Sequence, residues 1–259
     1  MKPIKQWRLS GHLKFLHQSS LKCFCDLSFH RSIYPIVAMA QFFGVMPVNN
    51  ISDKCPSSLS YTWKSFRFVF AVFVTISCGL EAASSVVWTF RTNIEFGKMV
   101  ILVYYITNFF SFFCFLRLAK SWPSIMAKWH EVEKKLPQME TERKQRLCSR
   151  IRRTAAVILT LSAIEHILSI ISSFAVVHDC PRIKNVLQAY YVHNFPQIFT
   201  FFKYSHALGV YVKFIHVTST FVWSYTDLFI MMVSCGLSSM FHQINQRMLK
   251  DKGKVGQWR

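Results

Sequence analysis

Charged positions in this chain are clustered rather than spread: long apolar runs alternate with basic connectors. Four runs approach or exceed the roughly 20 residues that a helix needs to cross a bilayer. The first occupies residues 66–89, with Glu81 as its only acid, and the second residues 99–116, uncharged between Lys98 and Arg117. The third covers 154–178, bounded by Arg153 and Asp179 with Glu165 inside, and the fourth lies within 214–246, with Asp227 as its only charge. In hydrocarbon every backbone N–H and C=O must find an internal partner, so runs of this kind are helices. The pattern therefore predicts an all-α, polytopic transmembrane bundle.

A fifth stretch, IYPIVAMAQFFGVMPV, is apolar but shorter and interrupted by Pro35, Gly44 and Pro47. If it crossed the membrane, the six basic residues before it would be forced outside. It reads instead as an interfacial or re-entrant helix at about 29–47, inside an amino-terminal segment 1–65 that leads into the first span. The start of the chain has no apolar core resembling a signal peptide, so the first span is expected to direct insertion.

Composition supports this picture. Apolar residues make up 52% of the 259, and only 17% are charged, against about a quarter in an average globular chain. A net charge of +19 would suggest a nucleic-acid partner in a soluble protein. Here, however, 25 of the 31 Lys and Arg fall before the first span or at its start (Arg67), in the loop 117–153 or in the tail, and six fall in the other two connectors. The positive-inside bias then places the amino terminus, that loop and the tail 238–259 in the cytoplasm, and the loop 179–213 outside, with the fourth span at 214–237. The loop 117–153 is expected to form helical extensions of spans two and three, basic enough to attract anionic lipid or simply solvated. On this topology the Asn-Ile-Ser acceptor at Asn50 is cytoplasmic and unused.

The eight cysteines include no C-x-x-C pair, and Cys180 is the only one in the predicted outer loop. No P-loop, G-x-S-x-G, H-E-x-x-H or dinucleotide fingerprint occurs, and the ten histidines form no tight box. An enzyme is not expected, nor a metal or other cofactor.

Polar groups at membrane depth are the candidate functional residues, because each is costly unless it meets a partner or a wet cavity. Ser162, Glu165, Ser169 and Ser172 recur at helical intervals in the third span. His216, Thr220, Ser224 and Asp227 do so in the fourth, and Tyr104, Asn108 and Ser111 in the second. Each stripe either lines a cavity in the outer half of a bundle or holds helices together by hydrogen bonds. Carboxylates beside aromatic rings suit a sugar, whose hydroxyls donate to acids and whose C–H face stacks on Trp or Tyr. The ligand-binding candidates are Glu165, Asp227, Trp223 and Tyr225, with Asn108 and His166 behind them.

Several strings carry a resemblance. FHRSIYPIVAMAQFFGVMPV, RLAKSWPSIMAKWHEVEKKLP, RIRRTAAVILTLSAIEHILSIIS and TFVWSYTDLFIMMVSCGLSSMFHQINQRM are similar to successive segments of the insect gustatory receptors, within their sugar-receptor clade. The likeness runs from about Ser28 to the tail and does not extend to residues 1–27. It implies a seven-span fold of which four spans are present, a cytoplasmic amino terminus, and a homo- or heterotetrameric, ligand-gated cation channel. It further implies a sugar ligand in an outward-opening pocket, lipid surroundings, and residence in the plasma membrane of gustatory neurons. The family's pore helix with its T-Y-x-x-x-x-x-Q-F motif is not found in this sequence, which is accordingly expected to be the front part of a longer receptor. The alternative is a truncated, non-conducting accessory or interaction subunit.

Overall fold

The computed structural model describes residues 28–53, 55–136, 141–178 and 185–255. Cys23, Cys25, Cys180 and the stretch 1–27 discussed above lie outside the described residues. Among the described residues seven α-helices follow one another: α1 (Phe29–Phe42), α2 (Phe66–Arg91), α3 (Phe96–Lys135), α4 (Thr141–His178), α5 (Val186–Asn194), α6 (Pro196–Phe199) and α7 (His206–Val255). A short 3-10 turn, Pro56–Ser58, precedes α2. Among the described residues there is no strand, only an isolated bridge between Asn49 and Ser60. Four helices, α2, α3, α4 and α7, are long and apolar enough to cross a membrane.

Helix α2 shows the pattern of a membrane helix, with its large apolar residues outward. On α2 the inward face carries small and polar groups, among them Ala71, Val74, Thr75, Cys78, Glu81, Ala82, Ser85 and Thr89, repeating every three or four residues. Its outward face carries Phe66, Val69, Phe73, Ile76, Leu80, Val87 and Phe90, all exposed. Small residues let helices approach, and large apolar ones meet lipid. Gly79 illustrates the approach: a Cβ there would lie 3.0 Å from the Phe109 ring of α3. The central packing is aromatic, with Phe115 of α3 at 5.2 Å from Tyr225 and 5.4 Å from Phe229 of α7, and Trp122 at 5.6 Å from Phe229. Helix α4 is peripheral: 6% of its most apolar window is buried, against 44% for α2.

Both helices flanking the basic loop continue into it. α3 has 40 residues, about 60 Å at the helical rise, and α4 begins at Thr141, well before its apolar run. Between α4 and α7, residues read as a plain connector hold α5 and α6. Asn185 caps α5 by accepting from the Gln188 amide at 3.1 Å, and Pro196 opens α6, where its missing N–H costs nothing.

Helix α1 enters the bundle at the end away from the α2–α3 turn and stops within it. Ser28 caps it, the Phe29 amide donates to Glu133 of α3 at 3.0 Å, and Phe29 stacks on Trp129 at 4.3 Å. At the other end Phe43 stacks on Phe221 of α7 at 4.0 Å. There the chain reverses through a Schellman turn, the Val45 amide donating to Ala40 O and the Gly44 amide to Gln41 O. Gly44 has φ of 75°, and a Cβ there would press on Val74 at 3.1 Å. Gln41 donates to the carbonyls of Met46 and Val48, and Arg67 also donates to Val48 O. Such satisfaction is what irregular backbone within an apolar setting requires. The expected helix near 29–47 is thus an inserted helix followed by a stitched turn.

Candidate functional site

Near the α2–α3 turn end, polar side chains from five helices converge. Glu81 of α2 is 2% exposed and neither carboxyl oxygen has a hydrogen-bond partner. Gln197 of α6, 1% exposed, faces both that carboxyl and the Tyr105 hydroxyl without strict hydrogen-bonding geometry, and its own Oε1 is unpartnered. The Tyr105 hydroxyl lies 3.4 Å from His216 Nδ1 of α7. Tyr104 shares a hydrogen bond of 2.9 Å with Thr220, and Asn108, one turn further along α3, donates to Tyr104 O at 2.9 Å while its Oδ1 has no partner. His166 of α4 completes the ring of groups, its imidazole 5.8 Å from that of His216.

Helices α5 and α6 cap this nest. Phe195 stands edge-on to His216 at 5.4 Å, and Tyr190, Tyr191, Phe195, Ile198 and Val212 form a small core of their own. Tyr190 stacks on Phe174 of α4 at 4.0 Å, and Tyr191 packs so closely on α7 that a Cβ on Gly209 would lie 2.8 Å from its ring. The aromatic cap fixes α6 against α2, which is why Gln197 reaches Glu81.

An isolated carboxyl so deeply buried costs several kcal/mol when ionised, and an unpaired amide oxygen adds to that. No cation forms a salt bridge to Glu81 among the described residues. Among the described residues, these acceptor oxygens have no partner in good hydrogen-bonding geometry. Hydroxyl groups of a ligand are chemically suited to them, with the Tyr104, Tyr105 and Phe195 rings as apolar walls.

The residues singled out from sequence distribute unevenly around this nest. Asn108 and His166 belong to it, and Trp223 stacks on Tyr104 at 5.9 Å from the half-exposed side. Tyr225 is wholly buried on another face of α7, among Phe115, Phe221 and Phe229. Glu165 and Asp227 are exposed. The α4 and α7 stripes do meet, through Ser162 and Ser224 at 2.7 Å. Glu81, named from the sequence as an intramembrane acid but not chosen as a ligand, is the acid that the fold buries. Tyr105 and Gln197 went unselected. The lone acid of the first span and a glutamine embedded in the aromatic string NFPQIF were the available signals.

Four helices long and apolar enough to cross a membrane, packed around buried polar groups, define a polytopic helical membrane protein. The particular family follows from sequence. A family profile described as "Trehalose receptor" matches residues 17–257, and the chain belongs to that family. It is 33% identical over 250 residues to the "Gustatory receptor for sugar taste 64f" of Drosophila melanogaster, covering 96% of this chain and 53% of that one. It is also 33% identical over 249 residues to "Gustatory receptor 5a for trehalose" of the same species, covering 95% and 54%. The chain therefore spans about half the length of the curated relatives it matches.

Proposed function

We propose that this protein acts in sugar taste as part of a sugar-gated cation channel, with the nest beneath α6 reading the sugar's hydroxyls. Two relatives carry sugar taste or trehalose in their names. The observation that carries the site assignment is the pair of orphaned acceptors, Glu81 and Gln197, inside an apolar bundle. With the basic segments inside, the nest lies toward the outer face of the plasma membrane of a gustatory neuron, where dissolved sugar arrives. The subunit assembles with further copies or with other gustatory receptors.

Gln197 rides on α6 while Glu81 is fixed in α2, so a sugar bridging them ties the cap to the bundle. Binding shifts a conformational equilibrium only through different affinity for its two states. Contacts divided between the capping helix and the bundle supply that difference if the two states hold the cap differently. Asn108 lies buried in the nest, with His166 half-buried and Trp223 at its flank.

The test is expression in cultured cells, alone and together with the fly receptor 64f, with calcium imaging during application of trehalose, glucose and sorbitol. Sugar-evoked calcium entry that depends on this chain supports the proposal. Entry of equal size without it contradicts it.

A further inference from the structure

The arginine-rich start of α4 carries a feature that sugar recognition does not use. Arg146, Arg150 and Arg153 recur at steps of four and three and so share one helix face. They border two adjoining clefts of about 640 and 550 Å³. The first is lined by these three arginines with Ser149, and the second brings Arg150 against Ser234, Ser238 and His242 of α7. Among the described residues that line the clefts there is no carboxylate. Guanidinium forks beside serine hydroxyls are the donor set that phosphate oxygens accept best.

The same face changes character at Arg153, the last charge before the apolar run. Val157, Leu161, Ile164, Leu168 and Ile171 continue the four-and-three spacing, and all five are exposed. One unbroken stripe on α4 therefore presents about 10 Å of arginines and then a longer apolar track. Its junction coincides with the start of the apolar run 154–178. A soluble phosphate fits only the first part of that stripe. A lipid fits both, with its headgroup on the arginines and an acyl chain along the apolar track.

We propose that this face of α4, with the adjoining cleft against α7, binds a membrane lipid whose headgroup carries phosphate monoesters. The proposal is independent of the sugar reading.

The experiment titrates the full chain, purified in detergent, with dioctanoyl phosphatidylinositol bisphosphate, dioctanoyl phosphatidylcholine and inositol trisphosphate, reading affinity by microscale thermophoresis. The bisphosphate lipid is expected to bind at least about tenfold more tightly than either of the others, and to weaken with added salt. The double variant R150Q/R153Q is expected to lose about tenfold in affinity, whereas R91Q, at the other end of the bundle, leaves it unchanged. Equal binding of the choline lipid overturns the proposal, as does equal or tighter binding of inositol trisphosphate, which would make the ligand a soluble phosphate. Unchanged affinity in a double variant that elutes as the wild type does on gel filtration overturns it too. If that variant does not fold, the three-ligand comparison on the wild-type chain decides.

Discussion

The Gln197 side chain of α6 faces the Glu81 carboxyl of α2 inside the bundle, with both residues nearly sealed from solvent. A capping segment outside the main helices is thereby tied to a membrane-depth acid, and the first expectation follows from that contact. Glu81→Gln keeps the shape and removes the ionisable carboxyl. It is expected to leave the melting temperature in detergent unchanged or slightly higher, because a buried carboxyl without a cation is costly. The half-maximal sugar concentration should rise about tenfold or more, because one of the carboxyl's two acceptor oxygens is replaced by an amide nitrogen.

Gly236 and Gly97 form a matched pair of tests for the packing of α1. A Cβ on Gly236 would lie 2.6 Å from the Phe29 ring and 2.8 Å from Trp129, whereas one on Gly97 meets nothing within 4 Å. Gly236→Ala should destabilise by about 1–3 kcal/mol through overpacking. Gly97→Ala should be neutral or stabilising by up to about 1 kcal/mol. Thermal unfolding of the two variants in the same detergent checks the contrast.

Tyr104→Phe retains the ring against Trp223 and removes the hydroxyl bonded to Thr220. The Thr220 hydroxyl still donates to His216 O, so no donor is orphaned. The expected loss is about 1 kcal/mol, and differential scanning fluorimetry against the wild type measures it.

Acidification should weaken the α1 anchor. His30, outside the membrane-crossing segments, is buried beside Arg31 and donates from Nε2 to Asp53 O at 3.2 Å. Burial pushes its pKa below 6.5, with Arg31 adding to the shift while the Asp53 carbonyl and carboxylate oppose it and His130 stands nearby. The folded protein thus binds this proton less readily than the unfolded chain. Its contribution to stability is complete above 6.5 and is lost as pH falls below that value. The wild-type melting temperature should drop on acidification more steeply than that of His30→Gln, and parallel curves would remove His30 from the account.

The bundle was legible in the sequence because hydropathy and length alone mark residues 66–89, 99–116, 154–178 and 214–246 as membrane-crossing. The onward course of α3 to Lys135 was readable as an extension, since a helix that already exists continues through polar residues without a new nucleus. Helices α5 and α6 were not read, because nine and four residues carry too few periods to register. The site was half legible. Repeating stripes on α3, α4 and α7 identified Asn108 and His166, yet a stripe fixes one face of a helix and not what that face meets. Asp227 and Glu165 therefore stood out by spacing and are exposed. Glu81 lies in a stripe of mostly small residues, Thr75, Cys78, Ser85 and Thr89, which reads as a plain packing face, and it is the acid that long-range packing seals in.

The most direct test of the central claim is equilibrium binding of radiolabelled trehalose to the purified wild-type chain and to its Glu81→Gln and Asp227→Asn variants. The account predicts saturable binding that survives Asp227→Asn within about twofold and falls at least about tenfold in Glu81→Gln. Loss of binding in Asp227→Asn with Glu81→Gln unaffected would place the sugar on the exposed stripe of α7 and contradict a site beneath α6.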